Sequence, residues 1–325
     1  MRAVEITELG GPRVMRVVDR PAPEPAADQV VVEVAAAGVN FRDTYERDGT
    51  YPAQLPLRMG AEGAGTVTAV GAGVQDIAVG DRVAWAGAPG SYAEQVAVAA
   101  GAAVPVPDGV SDESAAAVML QGMTAHYLAT STFPVSAGDV ALVHAGAGGV
   151  GLLLTQLIRL RGGIVVSTVS TEEKEALSRG AGARDVIRYD RPDVDIAAEV
   201  RRLTGGVGVA VVYDGVGKST FDASLRSLRP RGMMVLYGGA SGQVPPFDPQ
   251  ELNRLGSLFL TRPTLVHYIA GRAELTARTE EVFGWIAAGS LDVRVGGRYP
   301  LADAPRAHPD LQSRRTTGKL LLLPR

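Results

Sequence analysis

The run Val140-Ala141-Leu142-Val143-His144-Ala145-Gly146-Ala147-Gly148-Gly149-Val150-Gly151 has the residue types to hold a pyrophosphate. An apolar stretch meets four glycines and passes directly into residues 152–160, which read as a helix. The order is buried strand, tight turn, helix N-terminus. Glycine lets a backbone approach a phosphate closely, and a helix N-terminus offers unpaired N–H groups and a positive dipole end. The β-branched run Ile164–Val169 follows as a second parallel strand, so the unit takes roughly 30 residues, as a dinucleotide fingerprint requires. The spacing departs from G-x-G-x-x-G and fits A-x-x-G-x-x-G, with Ala145, Gly148 and Gly151 in the key positions. Nicotinamide redox chemistry is the first expectation.

The end of the second strand says which nicotinamide. An NAD site places Asp or Glu there for the ribose 2′-hydroxyl. Here the chain reads Val169-Ser170-Thr171, with Lys174 one turn into the next helix and Tyr189 ending the third strand. A 2′-phosphate carries nearly two negative charges near neutral pH. A hydroxyl, an ammonium and a phenol suit it, and a carboxylate would repel it. Ser170 also opens a capping-box spelling, Ser170-Thr171-Glu172-Glu173, and Lys174 also reads as a solvated helix residue. Both roles can coexist. The missing acid favours NADPH.

Composition bounds the rest. A chain of 325 residues is long enough for two domains with sizeable cores. Net charge is −3 with no basic block, so nucleic acid is not an expected partner. No stretch approaches the roughly 18 uninterrupted apolar residues of a membrane span. Glu5 and Glu8 interrupt any signal-peptide pattern, and a cytoplasmic location is expected. There is no cysteine, so disulfides, thiol catalysis and Cys-ligated zinc are excluded. His126, His144, His267 and His308 show no paired spacing. No metal site is expected.

These residues need elements to place them. The first 120 or so residues read as β-rich, with short strands at 30–34, 65–70, 81–85 and 92–98 between Gly and Pro punctuation. Ser111-Asp112-Glu113 caps a helix through 115–128. Strands then alternate with helices: 140–144, 164–169, 186–189, 209–213, 233–237 and 257–260, with helices such as 196–203 and 220–228 between. Six strands with helical crossovers make an α/β, doubly wound parallel sheet of Rossmann type. Tyr237, Gly238 and Ser241 end its fifth strand, at the carboxyl edge where ligands bind. After Pro263 come a helix, a strand-like stretch at 291–295 and Leu320-Leu321-Leu322-Leu323. This tail breaks the alternation and is expected to return to the first domain. The expected division is 1–122 for the β-rich catalytic domain, 123–263 for the cofactor domain and 264–325 for the return.

The pattern resembles the medium-chain dehydrogenase/reductase superfamily, and within it the zinc-free quinone oxidoreductases of the zeta-crystallin type. The resemblance spans essentially the whole chain. Its carriers are 38–45 (Gly-Val-Asn-Phe-Arg-Asp-Thr-Tyr), 60–65 (Gly-Ala-Glu-Gly-Ala-Gly), 79–83 (Val-Gly-Asp-Arg-Val), 144–151, 213–217 (Tyr-Asp-Gly-Val-Gly) and 261–263 (Thr-Arg-Pro). The zinc branch has Cys in the first motif and His in the second. Here Asn40 stands near the first and Ala61 replaces the His. Without a Lewis acid, the acceptor must take hydride directly, and a quinone or activated alkene qualifies.

The resemblance implies a GroES-like N-terminal domain, a nicotinamide and a quinone in the interdomain cleft, and a homodimer paired through the last Rossmann strand, 257–260. An exposed apolar edge there points independently to pairing. It implies that Asn40 contacts the nicotinamide end and that Tyr127 lies beside phosphate or ribose. Gly148, Gly149 and Val150 would cradle the pyrophosphate, with Ser170, Lys174 and Tyr189 on the 2′-phosphate and Arg314 near the cofactor. Tyr45 and Tyr51, on the loop after the Asn40 motif, are the substrate candidates, since a phenol stacks on a flat acceptor and donates to its developing oxyanion. Tyr237 also reads as a core residue, Arg314 as a surface residue, and Tyr45 and Tyr51 as core packing. Relatives often carry Lys at Gln121 and Ser at Gly215. The expected activity is NADPH:quinone reduction. Its rivals are an enoyl or alkenal reductase, given Asn40-Phe41-Arg42-Asp43, and a non-catalytic NADPH-binding protein.

Overall fold

The computed structural model describes residues 1–191 and 193–325. The chain forms two compact units, one of residues 1–123 and 269–325, the other of residues 124–268.

The first unit opens with strands β1 (Arg2–Ile6), β2 (Arg16–Asp19) and β3 (Gln29–Val39). Helix α1 (Phe41–Asp48) follows, then β4 (Leu57–Arg58), β5 (Glu62–Val70), β6 (Arg82–Ala86), β7 (Gln95–Ala99) and β8 (Val104–Pro105). Helices α2 (Asp112–Val118) and α3 (Gln121–Tyr127) lead out of it. The expected single helix through 115–128 is therefore interrupted. Its break has a cause: the Leu120 N–H donates to the buried Glu62 carboxylate at 2.6 Å instead of to a preceding carbonyl.

The second unit alternates strand and helix. Its elements are β9 (Val140–Val143), α4 (Gly149–Leu160), β10 (Ile164–Val169), α5 (Glu172–Ala181), β11 (Asp185–Arg188), α6 (Ile196–Leu203), β12 (Val209–Asp214), α7 (Phe221–Ser227), β13 (Leu228–Leu236), α8 (Gln250–Arg254), β14 (Phe259–Thr261) and α9 (Leu265–Tyr268). The six strands lie in the order β11-β10-β9-β12-β13-β14, all parallel. Strand order reverses between β9 and β12, the switch point at which doubly wound sheets bind ligands. Leu142, Val166, Val212 and Met234 are fully buried, as expected of parallel strands covered on both faces. Strand β14 starts two residues later than the apolar run at 257–260 suggested, because Ser257 has a left-handed φ of 56°.

The tail contributes α10 (Arg272–Ala287), β15 (Val295–Pro300), α11 (Ala304–Gln312) and β16 (Lys319–Leu323) to the first unit. Strand β16 pairs antiparallel with β3, setting Leu320 opposite Val39, within the sheet β15-β16-β3-β5-β6-β8. Residues 291–294 are not a strand. The Leu291 N–H turns back to the Trp285 carbonyl of α10, and pairing starts at Val295.

Beneath α1 the first unit buries a polar chain. Arg47 Nη1 donates to His308 Nδ1 at 2.9 Å, and arginine is never an acceptor, so the His308 proton is on Nε2. Nε2 faces Tyr92 Oη at 3.3 Å, and the phenol donates to Asp43 Oδ2 at 2.7 Å. Burial, helped by Arg47, pushes His308 down to about 3, while burial pushes Asp43 up to about 6. The signs are opposite. A depressed histidine contributes stability present above its unfolded value near 6.5 and lost as pH falls through 3; a raised carboxyl contributes stability lost as pH rises through 6. His308→Gln keeps an acceptor and a donor but cannot titrate. The wild-type free energy of unfolding should therefore fall relative to the variant's by roughly 1.4 kcal/mol per pH unit between about 6.5 and 4, read from urea titrations.

Candidate functional site

The glycine turn lies where β9 hands over to α4. Ala145 has a φ of 53°, which swings the chain out of the strand. Gly148 takes the N-cap position of α4, and no side chain caps that helix. Gly151 is required by close approach: a Cβ there would fall 2.4 Å from the Ala145 carbonyl oxygen. Gly149 and Val150 are the first helical residues. An uncapped helix N-terminus stripped of side chains, at the switch point of a parallel sheet, fits a pyrophosphate.

Buried side chains hold this turn from below. Asp214 ends β12, and its carboxylate accepts from the Val216 and Gly217 amides and from the Thr220 and Ser224 hydroxyls, all at 2.7–2.9 Å. With the Ser224 proton committed to Asp214, Ser224 Oγ accepts from His144 Nε2 at 2.9 Å. Nδ1 of His144 is then bare and accepts the Thr168 hydroxyl at 2.9 Å. Burial lowers the His144 pKa and Asp214 opposes the shift. A neutral imidazole thus ties β9 to β10 and α7. Sequence reading placed His144 in the motif but did not see this bridging role.

At the carboxyl end of β10 the structure brings together two of the residues expected there. Lys174 Nζ donates to Ser170 Oγ at 3.2 Å. The α5 cap is Thr171, whose Oγ1 accepts the Lys174 N–H, not Ser170; the helix starts one residue later and leaves the Ser170 hydroxyl for the ammonium. The Tyr189 N–H donates to the Val169 carbonyl, which sets this exposed tyrosine beside the same strand end. Glu172 reaches towards Arg188 at 3.7 Å, and Arg188 is paired with Asp190.

The third group of expected residues is mixed. Tyr127 is buried and stacks on Tyr268 with ring centroids 4.1 Å apart. Ser241 Oγ accepts the Ser219 amide and donates to the Val216 carbonyl, so it locks the turn after β12. Tyr237 is half-buried, and desolvation followed by the Asp214 charge raises its phenol pKa, which keeps it a donor. Gly215 and Gly238 make room here: a Cβ on Gly215 would lie 2.8 Å from the Tyr237 ring, and one on Gly238 would lie 2.5 Å from the Gly215 carbonyl.

In the first unit, Asn40 stands at the N-cap of α1, and Asp43 Oδ2 accepts its backbone N–H at 2.9 Å. That closure makes the segment carrying Tyr45 a helix and not a loop. Tyr45 and Tyr51 meet edge to face at 5.2 Å, and the Tyr51 N–H donates to the Tyr45 carbonyl. Tyr51 is 37% exposed and Tyr45 half-buried, so neither is a core residue. The Asn40 carboxamide is buried and fully engaged: Nδ2 donates to Glu62 Oε1 at 2.5 Å, while Oδ1 accepts from Lys319 Nζ at 2.8 Å and Gln121 Nε2 at 3.3 Å. Glu62 and Lys319 were absent from the sequence-level candidates; the Glu62 carboxylate inside the 60–65 motif was the available signal. Arg314 is exposed, just past α11, with a left-handed φ of 59°. Among the described residues, no group of three or more His, Asp or Glu side chains is placed to hold a metal ion.

The fold and turn define a two-unit dinucleotide-dependent reductase architecture. Residues 26–108 match the alcohol dehydrogenase GroES-like domain and residues 149–288 the zinc-binding dehydrogenase family. A quinone oxidoreductase of Pseudomonas aeruginosa is 44% identical, with 99% of each chain covered. A 2-haloacrylate reductase of a Burkholderia species is 40% identical over 99% of this chain and 98% of that one. A mycobacterial protein solved in complex with NADPH superposes with a TM-score of 0.97 at 53% identity, over 100% of both chains. The chain belongs to the medium-chain dehydrogenase/reductase superfamily, among its zinc-free quinone oxidoreductases.

The Gly215–Tyr237 contact is open to test. Gly215→Ser should destabilise the protein by about 1–3 kcal/mol through overpacking. The loss should shrink in a Gly215→Ser/Tyr237→Ala background, a non-additivity measurable by urea unfolding of all four forms.

Proposed function

We propose that this chain reduces quinones with NADPH. The observation that carries the cofactor half is the Lys174–Ser170 pair beside Tyr189 at the end of β10, where an NAD site would hold an acid. The curated relative named quinone oxidoreductase and the NADPH-complexed neighbour support the same reading.

NADPH supplies a hydride when bound; the chain supplies placement and electrostatics. Gly148, Gly149 and Val150 present backbone N–H groups to the pyrophosphate. Ser170, Lys174 and Tyr189 hold the 2′-phosphate. Tyr127, Tyr237, Gly238, Ser241 and Arg314 line the remaining cofactor path, and Asn40 serves the nicotinamide end. Tyr45 and Tyr51 serve the acceptor: a ring face of one offers a stacking contact, and their hydroxyls offer donors to an oxygen that gains charge. A hydroquinone anion takes its proton from water, so no dedicated acid is needed. The 2-haloacrylate reductase relative favours a second reading, an activated alkene as acceptor. That reaction must protonate carbon, so loss of Tyr45 or Tyr51 would cost it more. We also place the protein in the cytoplasm, consistent with the lack of any described helix long and apolar enough to cross a membrane.

Homodimerisation belongs to this proposal. Strand β14 lies at the end of the sheet order, and Phe259 on it is 57% exposed, an apolar edge of the kind that pairs with another chain. Phe259→Lys should shift sedimentation from dimer to monomer at micromolar concentration.

The deciding assay follows NADPH oxidation with 1,4-benzoquinone and 9,10-phenanthrenequinone, beside a crotonyl thioester and an alkenal. Quinone turnover that prefers NADPH over NADH is expected; turnover of alkenes alone moves the chain to the second reading. A close Lys–phosphate pair at an effective dielectric near 20 is worth about 4 kcal/mol per charge, less when exposed. Lys174→Ala should therefore raise the KM for NADPH roughly ten-fold, leave kcat nearly unchanged and hardly alter the KM for NADH.

A further inference from the structure

The first unit buries an ion pair that the proposed chemistry does not use directly. Lys319 of β16 and Glu62 of β5 are 2% and 0% exposed, with Nζ in direct contact with Oε1. Four segments distant in sequence converge on it. Glu62 Oε1 accepts from Asn40 Nδ2, and Glu62 Oε2 from the Leu120 N–H at 2.6 Å. Lys319 Nζ and Gln121 Nε2 both donate to Asn40 Oδ1. Gly38 supplies the space, since a Cβ there would lie 2.6 Å from Lys319 Cε and would overlap the Glu62 carboxylate.

The residue choice is informative. Of the chain's 32 basic residues only three are lysines: Lys174, Lys218 and Lys319. A guanidinium is a rigid planar fork, whereas an ammonium is a compact point charge whose donors can be aimed at two acceptors in a confined space. A buried pair of this kind contributes little net stability compared with apolar residues of similar volume. Its effect lies in orientation. A carboxamide can be turned over with little change in shape, but here Oδ1 faces two donors and Nδ2 faces a carboxylate, so only one orientation of Asn40 satisfies every partner. Asn40 also caps α1, which carries Tyr45 and leads to Tyr51.

We propose that Lys319 and Glu62, each bonded to the Asn40 carboxamide, act together as positioning residues that fix it and the start of α1 for hydride transfer. The proposal rests on the reading that Asn40 serves the nicotinamide end of NADPH.

Removing Lys319 alone would strand a buried carboxylate and risk misfolding. The test is therefore the Lys319→Met/Glu62→Met double variant of the full chain, with Gly38→Ala as a second perturbation that keeps every polar group but crowds the pair. Asn40 and Asn253 are the only asparagines, so selective ¹⁵N-asparagine labelling reports two side-chain amides, with Asn253 as internal reference. We expect Asn40 amide exchange to quicken about ten-fold or more and kcat with a quinone to fall about ten-fold, with the KM for NADPH moving less than about three-fold. Unchanged exchange, or faster exchange with unchanged kcat, overturns the proposal. The functional reading fails separately, if the wild-type chain turns over no quinone; the exchange rate then still decides whether the Lys319–Glu62 pair holds Asn40.

Discussion

A backbone that must come within hydrogen-bonding distance of a phosphate has no room for side chains, and it must still be held rigidly. In the second unit the first half of that constraint is met between Ala145 and Gly151 and the second half by what lies beneath. Gly151 has no space for a Cβ against the Ala145 carbonyl, and Ala145 itself adopts a left-handed φ. A turn built this way has few side chains to anchor it. Its rigidity comes from His144, whose two ring nitrogens bridge Thr168 and Ser224, and from Asp214, which gathers four donors at the end of β12. Buried and neutral, the imidazole can accept at one nitrogen and donate at the other, which an imidazolium cannot.

The first unit meets a similar difficulty with charge. Its β-sheet core is apolar, yet it buries Asp43, Arg47, Tyr92 and His308 in one chain and Asn40, Glu62 and Lys319 in another. Both arrangements converge on the first turn of α1: Asp43 Oδ2 closes the turn through the Asn40 amide, and the Asn40 carboxamide is held by Glu62 and Lys319. A polar group out of water is costly unless partnered, so each member restricts its neighbours. The segment carrying Tyr45 and Tyr51 is therefore anchored at its start by groups that originate as far away as the last strand.

What the sequence made legible was local. The glycine turn, the missing acid after β10 and the alternation of apolar runs with helical segments are read from neighbours in the chain, and the six parallel strands occur where those runs do. Boundaries moved where a non-local or conformational term intervened. Leu120 leaves its helix for the Glu62 carboxylate, Ser257 cannot extend β14 with a positive φ, and Thr171 takes the cap that left Ser170 to Lys174. The Lys319–Glu62–Asn40 cluster was not legible at all. Its members are up to 279 residues apart, and nothing around Lys319 in the Gly318-Lys319-Leu320 stretch distinguishes it from an ordinary strand lysine.

Gly215 and Gln121 become intelligible once their surroundings are known, and they differ in kind. Gly215 is a matter of volume. The space a serine would need is occupied by the Tyr237 ring, so glycine at the one position accommodates tyrosine at the other. Gln121 is a matter of charge. A lysine there would set a second ammonium close to Lys319 around a single carboxylate, with Asn40 Oδ1 as the shared acceptor. A neutral amide still donates to Asn40 and keeps the cluster at zero net charge, and its buried Oε1 has no hydrogen-bond partner among the described residues. That unsatisfied oxygen marks where the cluster departs from full pairing. With an uncharged residue at position 121, Lys319 and Glu62 are the two opposite charges of the cluster, and each is the other's ion-pair partner.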